Sequence, residues 1–363
     1  MPTKEELNLL QSLPLDIKVM KTRARINEFV RRYGVDECAI SFSGGKDSTV
    51  LLHIARQLYP DMSAVFVDTG LEYPEIREFV KGFDNVQWLH PKKNFRQVVT
   101  EYGYPFIGKE VAERVESARK CITIMNNGGG TNISTVIINS QKSIPIKAQQ
   151  LFGIGGFFNK RYDYSRYKGL LDLDFRMSSK CCNIMKKQPL HATHTKRIVA
   201  TMTEESDLRR TRWLQAGCNS FGKDARSAPM SFWRTQDVLE YIKKHNLPIA
   251  SVYGDVVYRD DKGNEYDSII GGQCPKNCKL CTTGCRRTGC VFCGFGANLE
   301  KKGEGRFERM KITHPKLYDY CLGGGEYDNE GFWIPNAKGL GMAHCIDELN
   351  RLYSKPNKPF ISY

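Results

Sequence analysis

A glycine-containing loop near the start of the chain combines several groups that bind phosphate. It runs from Ser41 to Ser48, where a predicted strand ends and a predicted helix begins. Unpaired N–H groups at a helix N-terminus attract anions, glycine lets the backbone approach them closely, and serine hydroxyls add donors. The loop therefore predicts a pyrophosphate site, with a spacing unlike that of a Walker loop. Its candidate ligands are Ser41, Ser43, Gly44, Gly45, Lys46, Asp47 and Ser48.

Two side chains of this loop are the candidate catalytic residues. Lys46 would neutralise phosphate charge, and Asp47 would orient Mg²⁺ or its waters, because Mg²⁺ prefers oxygen ligands. The alternative is an ordinary glycine turn in which serine caps the helix. The number of phosphate-compatible groups in one strand-to-helix turn favours the binding site.

The 13 cysteines include two groups of four with the spacing of metal ligands. Soft thiolates select iron–sulfur clusters or zinc. The first group joins an adjacent pair to a distant Cys-x-x-Cys. An adjacent pair can hold one centre only on a helical or kinked backbone, since a strand points neighbouring side chains apart. This group comprises Cys181, Cys182, Cys290 and Cys293.

The second group lies just before that Cys-x-x-Cys. Pro275 and Gly284 lie among its members, and such a segment has few apolar residues on which to fold, so it predicts its own Zn²⁺ or an additional cluster. The spacing leaves open a mixed arrangement in which Cys285 joins Cys290 and Cys293. The members of the second group are Cys274, Cys278, Cys281 and Cys285.

A regular alternation of strands and helices must position the loop. It predicts an α/β fold with a doubly wound parallel sheet and helices on both faces. The first 33 residues place apolar side chains at helical spacing and predict an amphipathic helix. The predicted strands are Cys38–Phe42, Ser63–Asp68, Val86–Leu89 and Arg197–Thr203, and the predicted helices are Asp47–Tyr59, Pro74–Lys81 and Thr235–His245.

Composition divides the chain into three predicted regions. A helical segment covers residues 1–35, and a nucleotide-binding α/β domain covers 36–255. An insertion interrupts this domain at about 121–170, where glycine and asparagine break the alternation. A cysteine-rich, metal-binding lobe covers 256–363, and its composition beyond Gly271 is poor material for a sheet.

Charge and hydropathy limit the class of protein. No apolar run approaches the roughly 18 residues of a membrane span, and the N-terminus lacks the apolar stretch of a signal peptide. We therefore expect a soluble, cytoplasmic protein with no membrane partner, whose cysteines serve metals or thiol chemistry rather than disulfides. The net charge of +14 predicts either a nucleic-acid partner or a basic cleft for a phosphorylated ligand.

Six segments, spread from about residue 38 to 320, follow one another in an order that is hard to obtain by chance. They are Ser43–Ser48, Asp68–Glu75, Lys180–Leu190, Thr203–Arg209, Trp233–Ile249 and Thr288–Cys293. Together they resemble the N-type ATP pyrophosphatases, also called PP-loop proteins, and the phosphoadenosine phosphosulfate (PAPS) reductase family. The resemblance implies the adenine nucleotide α-hydrolase-like fold.

The resemblance also implies roles for particular residues. In that family the end of the second strand holds the adenosine, and a Glu-Ser-x-x-Arg segment binds phosphate. The implied ligands here are Asp68, Thr69, Gly70, Glu205, Ser206 and Arg209. Resemblance to the reductases that act on adenylylsulfate further implies a [4Fe–4S] cluster on the first group of four cysteines.

Two departures from the family pattern limit these implications. Shortly before the Glu of the phosphate segment the family usually has Gly and Arg, whereas this chain has Ala200 and Met202, so one phosphate or sulfate contact is missing. Sulfonucleotide reductases also end in a tail with a nucleophilic cysteine, which the segment from Lys358 to Tyr363 lacks. The nearest candidate, Cys345, has a different local sequence.

Two enzymatic functions compete within this family. In the first, ATP with Mg²⁺ adenylates an acceptor such as nucleic acid, pyrophosphate leaves, and a sulfur donor displaces AMP. In the second, a thiol reductant attacks the sulfate of PAPS or adenylylsulfate and sulfite is released. The intact loop and the missing tail favour the first. A non-catalytic iron–sulfur module that binds nucleic acid is a third hypothesis.

Overall fold

The computed structural model describes residues 2–127, 144–154, 162–193, 195–222, 225–267 and 277–363. Its helices are Lys4–Ser12, Leu15–Tyr33, Lys46–Leu58, Pro74–Lys81, Phe95–Tyr102, Lys109–Asn127, Ile146–Phe152, Gln188–His191, Asp207–Ala216, Thr235–Lys244, Arg306–Thr313, Pro315–Leu322 and Met342–Tyr353. Shorter 3₁₀ segments lie at Ser165–Asp172, Thr203–Glu205, Ser251–Tyr253 and Ala297–Leu299, and a π-helix lies at Asn183–Lys187. None of these helices is long and apolar enough to cross a membrane.

The strands are short, and most of them belong to one sheet. They are β1 (Cys38–Ser41), β2 (Ala64–Val67), β3 (Val86–Leu89), β4 (Phe106–Ile107), β5 (Lys196–Ile198), β6 (Asn219–Ser220), β7 (Arg226–Ser227), β8 (Val256–Arg259), β9 (Glu265–Tyr266), β10 (Lys279–Thr282), β11 (Gly294–Phe295), β12 (Glu326–Tyr327) and β13 (Trp333–Ile334). The main sheet has six strands in the order β3-β2-β1-β5-β7-β6.

The strand order confirms the predicted α/β fold with a doubly wound sheet. Neighbouring strands are parallel except β6 and β7, which are antiparallel. The order runs outward from β1 in both directions, since β2 and β3 lie on one side of it and β5 and β7 on the other. Right-handed crossovers then place the connecting helices on opposite faces of the sheet.

The elements that flank the phosphate loop lie where the sequence predicts them. Strand β1 is buried because both faces of a parallel sheet are covered, and its Ala39 and Ile40 are at most 1% exposed. The helix after the loop is Lys46–Leu58, one residue from its predicted bounds at each end. The predicted strand at 197–203 is shorter, because regular pairing ends at Ile198.

The predicted single helix over the first 33 residues is in fact two helices. Pro14 separates them, because proline cannot continue a helix from within. The second helix is fixed by Lys18, which is 2% exposed and whose Nζ donates to both carboxylate oxygens of Asp237 at 2.7 Å. This buried ion pair joins the helices Leu15–Tyr33 and Thr235–Lys244.

A second, three-stranded sheet has the order β10-β8-β9. Strand β10 lies at Lys279–Thr282, in the region whose composition was expected to be poor material for a sheet, so that expectation was wrong. It forms because β8 supplies an antiparallel partner, with Leu280 paired to Tyr258. Long-range pairing of this kind outweighs weak local propensity.

The chain divides into two compact units, each built from two separate stretches. The sheet unit consists of Met1–Pro91 and Gln188–Gly289, and the helical unit consists of Lys92–Lys187 and Cys290–Tyr363. The predicted domain boundaries at 35 and 255 both fall inside the sheet unit. They rest on composition and remain a prediction, and much of the predicted insertion lies outside the described residues.

In the helical unit, a half-buried arginine joins a long helix to an irregular segment. Arg119, on the helix Lys109–Asn127, donates to the carbonyl oxygens of Phe175 at 2.6 Å, Leu173 at 2.7 Å and Leu170 at 3.0 Å. Its burial lowers the pKa of the guanidinium to about 10. Carbonyl acceptors thus replace water around a charge that would otherwise be costly to bury.

Candidate phosphate site and cysteine groups

The phosphate loop is held closed by its own serines. Ser48 Oγ accepts from the backbone N–H of Ser43 at 3.2 Å and donates to the carbonyl of Gly45 at 2.9 Å. Gly45 is the N-cap of the helix that follows, and no side chain caps that helix. The first-turn N–H groups are therefore left to a ligand or solvent, which is the arrangement that favours anions.

Gly44 is a position at which the loop tolerates only glycine. Its φ of 68° lies in the left-handed region, and a Cβ there would lie 2.8 Å from side-chain carbons of both Ile76 and Val80. The helix Pro74–Lys81 therefore packs directly against the loop backbone. Close packing of this kind fixes the course of the loop between β1 and its helix.

Lys46 lies in a pocket made by residues distant in sequence. It is 7% exposed, its Nζ donates to the carbonyl oxygen of Arg286 at 2.7 Å, and it lies 4.7 Å from the ring centroid of Tyr253. Burial lowers the pKa of Lys46 to about 8, while the neighbouring Asp47 carboxylate opposes this shift. The ammonium of Lys46 therefore loses its proton at a lower pH than that of an exposed lysine, and a bound anion would oppose this loss.

Asp47 lies on the first turn of the same helix, among several cations. Burial raises the pKa of its carboxyl group, and the positive charges of Arg287, Lys46 and Arg209 act in the opposite direction. A half-buried carboxylate beside a phosphate loop fits the predicted role in orienting Mg²⁺, and that role remains a prediction.

The three predicted ligands in the phosphate segment after β5 make different kinds of contact. Glu205 is largely buried and accepts from Arg287 Nη2 at 2.7 Å, and it also pairs with Arg209. Ser206 caps the helix Asp207–Ala216, since its Oγ accepts from the backbone N–H of Arg209 at 3.3 Å. Glu205 therefore holds the two arginine side chains, Ser206 caps the helix that carries Arg209, and Arg209 is the member that can donate to an anion.

The predicted adenosine turn after β2 is built around a buried carboxylate. Asp68 is 5% exposed and accepts from Arg77 Nη2 at 2.7 Å and from the N–H of Gly70 at 3.1 Å. The hydroxyl of Thr69 donates to the Glu72 carboxylate at 2.8 Å. Because β1, β2 and β5 are parallel neighbours, this turn, the phosphate loop and the phosphate segment all lie at one edge of the sheet.

All four cysteines of the first group belong to the helical unit. Cys181 and Cys182 have helical backbone at the start of the π-helix, as the vicinal pair requires. A hydrogen bond from Cys182 raises the pKa of Cys181, and the nearby thiols of Cys293 and Cys290 raise it further. The reciprocal hydrogen bond lowers the pKa of Cys182, and Lys109 favours its thiolate.

Backbone contacts fix the Cys-x-x-Cys turn. The N–H of Cys293 donates to the carbonyl of Cys290 at 3.1 Å, and Arg306 Nη1 donates to the Cys293 carbonyl at 2.7 Å. Gly294 follows in β11, where a Cβ would lie 2.4 Å from the Phe106 ring. The chain therefore requires glycine immediately after the turn.

The metal assignments remain predictions. Among the described residues, no three His, Cys, Asp or Glu side chains form a compact group of the kind that holds a metal ion. In the second cysteine group, Cys274 lies outside the described residues, and Cys278 is disulfide-bonded, so its expected role as a free metal-binding thiol was wrong in this structure. Cys281 is on β10, and both Cys281 and Cys285 lie near enough to Lys46 to raise its pKa. These two belong to the sheet unit, and Cys290 and Cys293 belong to the helical unit.

Several residues of the site were missed by sequence reasoning. A separation of 240 positions hides the contact between Lys46 and Arg286. Tyr253, whose ring also faces Lys46, forms a 2.5 Å hydrogen bond with Thr288. One usable signal was the basic pair Arg286 and Arg287, which directly precedes a segment that matches the family pattern.

A doubly wound sheet whose parallel strands end at a glycine loop, among lysine and arginine side chains, is the arrangement typical of nucleotide-binding α/β proteins. The family follows from comparison with known sequences. A profile of the phosphoadenosine phosphosulfate reductase domain matches residues 37–124 and 160–294. These residues make up more than half of the chain, and the protein therefore belongs to this family.

Individual relatives share shorter or weaker similarity. An uncharacterized protein of Methanocaldococcus jannaschii is 39% identical over 18% of this chain and 17% of its own length. A phosphoadenosine 5′-phosphosulfate reductase of Xylella fastidiosa is 30% identical over 22% of this chain and 33% of its own length. The chain thus spans a third or less of these two relatives. An adenosine 5′-phosphosulfate reductase of Staphylococcus haemolyticus is 23% identical over 61% of this chain and 67% of its own length.

A comparable solved structure is the PAPS reductase of Candida auris in a phosphate complex. It covers 74% of this chain and 98% of its own, with 10% identity and a TM-score of 0.33. This similarity is too low to carry an argument about the site.

Proposed function

We propose that the protein binds an adenine sulfonucleotide, PAPS or adenylylsulfate, at the sheet edge and reduces its sulfate group to sulfite. The family match over residues 37–124 and 160–294 carries this proposal. The Staphylococcus haemolyticus relative, whose similarity extends over 61% of this chain, is named as an adenosine 5′-phosphosulfate reductase.

The geometry of the sheet edge supports the binding step. The turn at Asp68 would hold the adenosine, and the uncapped helix N-terminus with Lys46 would hold the 5′-phosphate. Arg209 and Arg287 share Glu205 as an anchor, so they can face an anion without losing their positions. Guanidinium groups suit sulfate because they donate paired hydrogen bonds in one plane.

The reduction requires two thiols. The first thiolate attacks the sulfur atom, the bond between sulfur and the phosphate oxygen breaks, and the nucleotide leaves with a 5′-phosphate. A second thiol attacks the resulting thiosulfonate, so that a disulfide forms and sulfite is released. Two thiols lose two electrons, and sulfur gains them in passing from the +6 to the +4 state.

The thiols would come from a separate dithiol reductant rather than from Cys345. Cys345 is 0% exposed, and burial raises the pKa of its thiol well above the ordinary value. A buried neutral thiol is a poor nucleophile, because the thiolate is the attacking species.

We further propose that Cys181, Cys182, Cys290 and Cys293 hold a [4Fe–4S] cluster. The donor set fits, because thiolates are the ligands of such clusters and the four thiols are near enough to alter one another's pKa. Lys109 and Arg306 add positive charge beside them, which would balance the negative charge of bound thiolates. When bound, the cluster would supply a one-electron redox centre; a structural Zn²⁺ on the same thiols is the alternative.

The test is a product assay on anaerobically purified protein. PAPS, adenylylsulfate and ATP are supplied separately with excess dithiothreitol, and sulfite and pyrophosphate are measured in each. We expect sulfite from at least one sulfonucleotide in a one-to-one ratio with the released nucleotide. Release of neither product would contradict an enzymatic function and favour the non-catalytic module.

A second candidate is the ATP-dependent sulfur transfer, with Mg²⁺ and an acceptor such as nucleic acid. The half-buried Asp47 favours it, because a carboxylate beside a phosphate loop can orient Mg²⁺, which a triphosphate needs more than a phosphosulfate does. Pyrophosphate from ATP, together with no sulfite from either sulfonucleotide, would establish this function in place of the reductase.

A further inference from the structure

Two segments that are distant in sequence are joined backbone to backbone in the sheet unit. The N–H of Gly284 donates to the carbonyl of Tyr253 at 2.8 Å, and the N–H of Cys285 donates to the carbonyl of Val252 at 2.9 Å. This approach requires glycine at position 284, because a Cβ there would lie 2.5 Å from the Val252 carbonyl oxygen. The contact fixes Tyr253 relative to the turn at residues 283–288.

The side chain of Tyr253 is also fixed at its hydroxyl end. The residue is 2% exposed, and its Oη forms a 2.5 Å hydrogen bond with Oγ1 of Thr288, at the end of the same turn. A Cβ placed on Gly45 of the phosphate loop would lie 3.4 Å from this hydroxyl. The tyrosine ring is therefore held against the phosphate loop by contacts of both its backbone and its hydroxyl group.

The ring and the turn together hold the ammonium group of Lys46. Its Nζ lies 4.7 Å from the ring centroid of Tyr253, within the range of a cation–π contact, and donates to the carbonyl oxygen of Arg286 at 2.7 Å. A carbonyl oxygen and a ring face carry no net charge. They therefore orient the ammonium without neutralising it, as a carboxylate would, and its charge stays available to an anion.

Orienting this lysine in advance should favour binding. Lysine has a long, flexible side chain, and ordering it when a ligand binds costs conformational entropy. Contacts that order the side chain before the ligand arrives reduce that cost, which is the general effect of preorganisation. Tyr253 can thus strengthen phosphate binding without contacting the phosphate.

We propose that Tyr253 is a positioning residue, which together with Thr288 holds the Lys46 ammonium in the orientation that binds the nucleotide phosphate. The proposal rests on the proposed function in that it takes Lys46 as a ligand of the 5′-phosphate. Tyr253 acts through Lys46 and supplies no group to the nucleotide itself.

The test compares two ligands that differ only in the phosphate. Binding of AMP and of adenosine to the full chain is measured by calorimetry at fixed ionic strength. Tyr253→Leu removes the ring and should weaken AMP binding by about three- to tenfold, with adenosine affinity unchanged within about twofold. Tyr253→Phe, which keeps the ring, should recover most of the lost AMP affinity. Equal weakening of AMP and adenosine binding would overturn the proposal.

A double-mutant cycle separates positioning from a purely structural role. If Tyr253 acts through Lys46, Tyr253→Leu should not weaken AMP binding further once Lys46→Met has removed the ammonium. Additive losses would overturn the proposal, because Tyr253 would then stabilise the site independently of Lys46. Thr288→Val removes the partner of the tyrosine hydroxyl, and it replaces Tyr253→Leu in the cycle if that variant does not fold.

A second lysine of the sheet unit supplies a matched control. Lys243 Nζ lies 5.4 Å from the ring centroid of Tyr258 and donates to the carbonyl oxygen of Val256 at 3.1 Å. The same two kinds of contact thus hold a lysine that is not part of the candidate phosphate site. Tyr258→Leu should leave AMP affinity within about twofold of the parent value. A loss as large as that in Tyr253→Leu would overturn the proposal.

The outcome is separable from that of the product assay. Coupling between Tyr253 and Lys46 in AMP binding, without sulfite release from either sulfonucleotide, would leave the positioning role standing and refute the reductase. Sulfite release with additive effects of the two substitutions would leave the reductase standing and refute the positioning role.

Discussion

The two compact units build their candidate sites by different means. In the sheet unit, the loop, the adenosine turn and the phosphate segment each follow a parallel strand, so strand register brings them to one edge. In the helical unit, the four cysteines lie on a π-helix end and an isolated turn beside a two-residue strand. Backbone regularity positions the first site, whereas the second depends on side-chain chemistry and on a few close contacts.

The two units also differ in net charge. The sheet unit has 27 Lys and Arg against 24 Asp and Glu, and the helical unit has 27 against 16. Most of the excess of positive charge therefore lies in the helical unit. The net charge of the sheet unit is therefore small. Its phosphate site is nevertheless surrounded by cations, because the fold places a few lysine and arginine side chains there.

The largest expected effect is the loss of metal from the helical unit alone. Cys182→Ser should reduce iron from about four atoms per chain to near zero, while nucleotide binding at the sheet unit stays unchanged. Cys121→Ser is the control, because Cys121 is a buried cysteine of the same unit outside the two groups. Iron content and absorbance near 400 nm are the measurements; undiminished iron in Cys182→Ser would refute the assignment.

The stability of the sheet unit should depend strongly on its buried ion pair between Lys18 and Asp237. Lys18→Met leaves the Asp237 carboxylate buried without its cation, and we expect a loss of about 3–5 kcal/mol in the free energy of unfolding. Lys244→Met is the matched control, since it breaks the exposed pair with Asp16 and should cost under about 1 kcal/mol. Urea unfolding of both variants gives the comparison, and equal losses would contradict it.

Lys46→Met tests the phosphate loop itself. Loss of an ammonium that contacts the phosphate should lower turnover by about 10²–10³-fold, because the charge developing on the leaving group is no longer balanced. Iron content should not change. Lys81→Met, on an exposed position of the helix that packs against the loop, is the control. Turnover within twofold of the parent protein would exclude Lys46 from the chemistry.

Salt should weaken nucleic-acid binding through the helical unit. If the charge excess contacts about three phosphates, affinity for RNA or DNA falls by roughly 20- to 40-fold over a fourfold rise in salt. Replacing the exposed Arg166 and Lys168 by Gln should reduce the slope, whereas the same change at Lys4 and Lys21 of the sheet unit should not. Complete competition by millimolar ATP would show instead that binding occurs at the nucleotide site.

The smallest effect concerns pH. Because burial lowers the pKa of free Lys46 to about 8, and a bound anion must raise it, nucleotide affinity should be constant below pH 8. Above that value it should fall by at most about tenfold per pH unit, as free Lys46 loses its proton. Titrations between pH 6.5 and 9.5 test this, with Lys46→Met as the pH-independent reference. An unchanged affinity up to pH 9.5 would contradict the lowered pKa.

The sequence by itself determined the part of the protein that depends on local pattern. Alternating strands and helices predicted the doubly wound sheet, the glycine loop predicted the strand-to-helix turn, and the vicinal cysteines required the helical backbone that they have. Each of these follows from neighbours within a few residues, where φ/ψ limits and apolar spacing decide the outcome.

Only the tertiary structure decided which residues meet. The carbonyl of Arg286 reaches Lys46 across 240 positions, Glu205 turns out to anchor two arginines, and Arg226 reaches Thr201 from a strand that the sequence did not predict. Such contacts come from sheet order and register, and neither is encoded in the residues that make the contact. Burial then set the proton affinity of Lys46, because desolvation depends on everything packed around a group rather than on its own type.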